Sequence, residues 1–156
     1  MSRQIKNIIT ITFFLICIGL INFAGQNIDI EIRGINAFTF ILIVAVLLQI
    51  IFFIPSFLLK TEKYYDLVGS LTYVTTVSLA YFAVENKTMI DSIIYFYVMV
   101  WASRLGIYLF RRVRNDGKDV RFEKPKRHFF WFLQYWMGQA LWVSLTACAA
   151  IIAILS

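Results

Sequence analysis

The chain is poor in the residues that build most small extracellular or fibrous proteins. Its 156 residues include 2 Cys, 2 Pro, 7 Gly and 1 His. Two cysteines exclude a disulfide scaffold, and the few glycines and prolines exclude collagen-like and disordered classes. One histidine, His128, supports neither a histidine metal site nor a histidine relay. Charge is scarce as well, with 15% Asp, Glu, Lys and Arg against about 25% in ordinary globular chains. Sixty per cent of the residues are hydrophobic and 17% aromatic, which leaves too little polar surface to cover a water-facing sphere. Lipid is the solvent this composition fits.

A bilayer core about 30 Å thick takes roughly 20 apolar residues of helix. Five runs bounded by charge meet that measure, at 8–24, 36–59, 67–85, 92–110 and 129–155. A lone strand in hydrocarbon would leave its backbone groups unpaired, and these continuous apolar runs lack the alternation of a barrel strand. The sequence therefore predicts an all-α polytopic bundle of about five transmembrane helices, forming a single membrane domain over 1–156. A removed signal peptide is the alternative for the first run. Its 17 residues exceed the usual 7–15, and Asn22-Phe23-Ala24 makes a poor cleavage site.

Positive charge is distributed unevenly. Under alternating crossings, twelve of the fifteen Lys and Arg fall on one side: Arg3, Lys6, Lys60, Lys63 and the eight between Arg111 and Arg127. Arg33 and Lys87 fall on the other side, and Arg104 lies inside a span. The positive-inside rule puts the N-terminus and the basic loop 111–128 in the cytoplasm, most naturally of a bacterial inner membrane. The net charge of +6 thus has a topological origin. It is no argument for nucleic acid, which needs an exposed basic face on a soluble module.

Arg104 needs a partner or a wet cavity, because an ionised group in a span costs roughly 2.5–3.5 kcal/mol on insertion scales. Tyr97, Trp101, Arg104, Tyr108 and Arg111 share a helical face, which is expected to point into the bundle. Asp66, at the start of the third span, or Tyr73 further along it stands at a suitable depth to receive Arg104. In the other reading Arg104 snorkels to phosphate and Asp66 caps its helix. Gln139 is expected to make a bundle-facing hydrogen bond, while Trp131 and Trp136 read as an interfacial belt. Cys17 and Cys148 read as small apolar fillers. The basic loop has two readings: topogenic charge drawn to anionic headgroups, or a lid over a phosphorylated cofactor or lipid. No Walker loop and no G-x-G-x-x-G motif occurs.

Three strings carry a family resemblance: Tyr65-Asp66-Leu67-Val68-Gly69-Ser70-Leu71-Thr72-Tyr73, Trp101-Ala102-Ser103-Arg104-Leu105-Gly106-Ile107-Tyr108-Leu109 running into Arg111-Arg112, and Gly117-Lys118-Asp119-Val120-Arg121-Phe122. In that order and spacing they resemble the steroid 5-alpha-reductase-like integral membrane family, in its uncharacterised branch. Gln139-Ala140-Leu141-Trp142 is similar to that family's fifth helix. The resemblance covers the family's N-terminal half only. It implies a reductase that takes NADPH from the cytoplasm and reduces a conjugated C=C bond in a lipid or steroid-like substrate.

On that resemblance Asp66, Tyr73 and Arg104 are the catalytic residues. Arg111, Arg112, Lys118, Asp119 and Arg121 bind the cofactor, and Trp101, Tyr97 and Gln139 line the substrate site. No metal is implied. The expected activity is that of an oxidoreductase acting on CH–CH groups, incomplete as a catalyst alone. Its expected partners are membrane lipid together with a C-terminal half polypeptide or further copies of the chain. The alternative function is a non-catalytic lipid-binding or assembly subunit. A transporter is disfavoured, since no span pair shows internal repetition and Pro55 is the only proline within a span.

Overall fold

A computed structural model describes residues 2–116 and 119–156. Five long helices dominate: α1 (Arg3–Asn22), α2 (Ala37–Leu58), α3 (Tyr65–Ala83), α4 (Met89–Asp116) and α5 (Phe129–Leu155). The chain folds as an all-α multi-pass membrane bundle. By length and composition α1, α2, α4 and α5 are each long and apolar enough to cross a bilayer. The exception is α3, whose polar side chains explain why. Ser70, Thr72, Tyr73 and Thr76 are all buried, because α3 is packed among α2, α4 and α5 and meets little lipid.

Each polar group on α3 is answered by another helix or by its own backbone. Ser70 Oγ donates to the carbonyl of Ala102 on α4. Gln49 of α2 donates to Thr72 Oγ1 across 2.8 Å, and that hydroxyl donates on to Val68 O across 2.7 Å. The hydroxyls of Tyr73 and Thr146 meet across α3 and α5. In lipid such bonds and small residues, rather than apolar burial, drive helices together. A methyl on Gly106 would overlap Ser70, and one on Gly69 would overlap the Gln139 amide, so these glycines set the approach of α4 and α5 to α3.

The basic segments gather at one end of the bundle. Arg3 lies over the Trp131 ring at 4.7 Å, Arg112 reaches Asp66 at 3.3 Å and Lys126 reaches Glu62 at 2.7 Å. These contacts join the starts of α1, α3 and α5 to the end of α4, as alternating crossings require. At the other end a hairpin pairs Glu31–Ile32 with Ile35–Asn36, turning through Arg33 (φ 54°) and Gly34 (φ 77°). Positive φ at both turn residues is the primed geometry that suits a two-residue hairpin. Asn36 then caps α2, accepting from Thr39 N across 3.1 Å.

Three expectations are corrected here. The fourth helix continues past residue 110 to Asp116, so Arg111, Arg112 and Arg114 are helical rather than part of a loop. Trp136 is fully buried within a ring of Phe53, Tyr65 and Phe132 and is no interfacial belt residue, whereas Trp131, stacked with His128, fits that role. The face bearing Arg104 points away from the bundle. Tyr97 and Trp101 are 68% and 49% exposed, and it is Ala102, Gly106 and Val113 that turn inward.

Candidate functional site

The bundle's basic end closes on two acidic side chains. Glu62, just ahead of α3, is buried; it accepts from Lys126 Nζ at 2.7 Å and from the Asp119 backbone N–H at 3.3 Å. Asp66 sits in the first turn of α3, outside the apolar run 67–85, with its side chain 12% exposed. Arg112 lies 3.3 Å and Arg121 3.7 Å from its Oδ2. Burial pushes the Asp66 carboxyl above its ordinary value, against the downward pull of Arg121 and Arg112. Asp119 is held below the usual carboxylate value by its hydrogen bonds from Arg121, and Arg121 is raised in return.

An aromatic plug fastens this end. After Asp119 the chain makes two short 3-10 turns, Val120–Phe122 and Pro125–Arg127. Phe122 is buried among Tyr65, Phe132 and Tyr135, with ring centroids 4.7, 5.9 and 5.0 Å away. The segment from Asp119 to His128 is thus a folded cover, and three of its charged groups, Asp119, Arg121 and Lys126, are neutralised in ion pairs. Beside it a groove of about 470 Å³ runs along α1, α3 and α5, lined by Phe14, Tyr65, Gln134, Tyr135, Gly138, Gln139 and Trp142. Tyr65 donates from its hydroxyl to Tyr135 O at 2.9 Å on this wall. A bundle-facing hydrogen bond is expected of Gln139, but its Oε1 is buried there without a partner among the described residues.

The structure separates the residues expected to act together. Asp66 is at the basic mouth, Tyr73 is inside the bundle on Thr146, and Arg104 is on the outer face of α4. The expected Asp66–Arg104 pair is replaced by Asp66–Arg112, because Arg112 is two turns nearer the level of Asp66 and Arg104 faces away from α3. Gln139 lines the groove, while Trp101 and Tyr97 do not and are exposed on α4; the Trp101 and Tyr73 rings meet edge to face at 5.0 Å. Arg112, Asp119 and Arg121 do converge. Arg111 points outward, and Lys118 lies outside the described residues. Glu62 and Phe122 were not singled out from sequence. A lone phenylalanine amid charged residues, Arg121-Phe122-Glu123-Lys124, is the signal that a loop carries an anchor.

Residues 52–156 match the family described as a protein of unknown function, DUF1295. The chain belongs to that family. The matched stretch takes in α3, α4, α5 and the whole basic mouth, and leaves out α1 and the hairpin. No curated protein and no solved structure matches the chain.

Proposed function

We propose that this DUF1295 member is the substrate-holding part of an NADPH-dependent reductase of C=C bonds in lipid or steroid-like molecules. It would sit in the bacterial inner membrane with its basic end in the cytoplasm. The observation that carries the reading is Asp66, a carboxyl largely withdrawn from water at the mouth of a membrane bundle, with its affinity for a proton raised by burial. In its protonated form such a group donates a hydrogen bond to a substrate carbonyl and polarises the conjugated double bond. The resemblance of the Asp66, Arg104 and Asp119 strings to steroid 5-alpha-reductase-like proteins supports the same chemistry. The adjoining groove takes an apolar body, and Gln139 Oε1, lacking a partner, accepts from a hydroxyl on it.

This chain's basic mouth does not by itself fit a dinucleotide's phosphates. Arg112 and Arg121 are committed to Asp66 and Asp119, and of the described residues expected to hold the cofactor Arg111 is the arginine without a partner. The phosphates therefore belong mainly to residues other than these, and Arg112 and Arg121 serve to hold Asp66 in place. Membranes containing the protein, supplied with NADPH deuterated at its transferable position, should place deuterium into a lipid fraction. Equal labelling in membranes lacking the protein contradicts the reading. A non-catalytic assembly subunit is the second reading, favoured by the outward face of Arg104. It predicts that Asp66→Asn leaves function intact while removal of charge from the basic mouth does not.

A further inference from the structure

Arg104 has no hydrogen-bond, ion-pair or ring partner among the described residues, although it lies in a helix long and apolar enough to cross the bilayer. It is eight residues from Arg112, which marks the level of the basic mouth, so it lies about 12 Å further into the bilayer along the helix. An unpaired guanidinium at that depth is costly unless an anion reaches it. The surface around it has the form such an anion would need. A groove of about 660 Å³ runs along the outside of α4, with Arg104 and Arg111 about two turns apart along it. Its remaining wall is mainly apolar, built from Phe96, Met99, Val100 and Ile107. Its volume is within the range of ligand sites, about 300–1,000 Å³. No carboxylate lines it among the described residues.

We propose that this groove holds an anionic membrane lipid, its phosphate between Arg104 and Arg111 and an acyl chain along Phe96, Met99 and Val100. Charge complementarity selects this occupant. Arg111 stands near the basic interface where lipid phosphates lie, and Arg104 reaches toward that level by snorkelling past Tyr108. Two forked guanidiniums a helical repeat apart give a phosphate more donors than an uncharged headgroup can use. A second copy of the chain is a poorer fit. All nine Asp and Glu lie in the connections or at helix ends, so a second copy brings no carboxylate to the depth of Arg104. The assignment goes beyond the reductase reading and does not depend on it.

The test is lipid retention by the full-length protein, reconstituted in discs of phosphatidylcholine with or without phosphatidylglycerol and analysed by native mass spectrometry. The protein should keep phosphatidylglycerol selectively, and Arg104→Gln or Arg111→Gln should each weaken retention on the order of tenfold. Lys60→Gln and Lys124→Gln, which remove exposed cations from the basic end but not from the groove, should leave it unchanged. Arg111→Gln lies at the groove's rim and keeps the test open if Arg104→Gln fails to fold. Added inorganic phosphate should not compete; if it displaces the lipid, the site is one for a free anion and the proposal fails. Equal losses in the Lys60 and Lys124 variants overturn it as general surface attraction. A dimer that dissociates on Arg104→Gln with lipid retention unaltered gives the face to a second copy, and a stoichiometric helix carrying a mid-membrane carboxylate gives it to another protein.

Discussion

Arg112 Nη2 donates to Asp66 Oδ2 across 3.3 Å, and Arg121 Nη2 stands 3.7 Å from the same oxygen. The two guanidinium side chains are 42% and 54% exposed, while the carboxylate they share is 12% exposed. Water screens each bridge from the arginine side, so each alone contributes about 0–1 kcal/mol. The buried partner carries the larger consequence. Arg112→Ala or Arg121→Ala should lower stability by less than about 1 kcal/mol each. The double variant, which leaves Asp66 withdrawn from water without a cation, should cost about 1–3 kcal/mol beyond the sum. Thermal melts in detergent check this, and additive losses contradict it.

The acid limb of stability has two components of opposite sign. Asp66 has its folded pKa raised, so its contribution is complete below the ordinary value of 3.8 and is lost as pH climbs from there through the raised value. Asp119 has its folded pKa lowered, so its contribution is present above 3.8 and lost as pH drops through the lower folded value. Melting curves of Asp66→Asn should therefore diverge in shape from the parent on the alkaline side of 3.8, and those of Asp119→Asn on the acid side. The reverse assignment would contradict the electrostatics of the mouth.

Phe122 anchors the cover through the packing of its ring, over which the Arg121 guanidinium also lies at 5.3 Å. Truncation to Ala removes a fully buried ring from the cage of Tyr65, Phe132 and Tyr135, a change that costs about 3–5 kcal/mol when the site cannot collapse. Much of that loss should appear as local release, with tryptic cleavage at Arg121 and Lys126 accelerated before the bundle melts. Cleavage rates equal to those of the parent would show that Lys126 and Asp119 hold the cover without the ring.

The two interhelical glycines should differ in tolerance. A methyl at Gly106 meets both Oγ and Cβ of Ser70, which is itself bonded to Ala102 O, so α3 and α4 must part; a cost of about 1–3 kcal/mol follows. At Gly69 the obstacle is the end of the Gln139 side chain, which can swing away. Gly69→Ala should therefore be the milder of the two. Its effect should appear in the groove, where Gln139 moves. An equal cost at both positions contradicts this.

Orientation follows from the gathering of the basic segments at one end. Reporter fusions should find Gly117 in the cytoplasm and Ser156 on the opposite side of the membrane. A reporter at Ser156 active in the cytoplasm would remove one crossing, and α3 would be the helix to reconsider.

Hydropathy alone located α5 to the residue, since 129–155 is bounded by His128 at one end and the run's apolar limit at the other. It extended less well to α4, because charged Arg111, Arg112 and Arg114 end an apolar run without ending a helix. Helical period correctly grouped Tyr97, Trp101, Arg104, Tyr108 and Arg111 on one face, but period does not tell which way a face points. That information lies in Ala102 and Gly106, small residues one turn apart that mark the packing side of a helix in lipid and lie opposite Arg104. The role of Glu62 was out of reach, since its partners Lys126 and Asp119 lie 64 and 57 residues away and meet it only through the fold.

The central claim is that Asp66 acts as the acid of a membrane reductase, and its most direct test is transfer of deuterium from labelled NADPH into lipid, comparing parent with Asp66→Asn and Asp66→Glu. The protein must be present with whatever polypeptide completes its cofactor site. The account predicts protein-dependent labelling that falls about 10²–10⁴-fold in Asp66→Asn, the usual contribution of a positioned acid, and is partly restored in Asp66→Glu. Labelling in Asp66→Asn equal to the parent, with Arg104 and basic-mouth variants alone impaired, would contradict it and leave the chain as a lipid-binding assembly subunit.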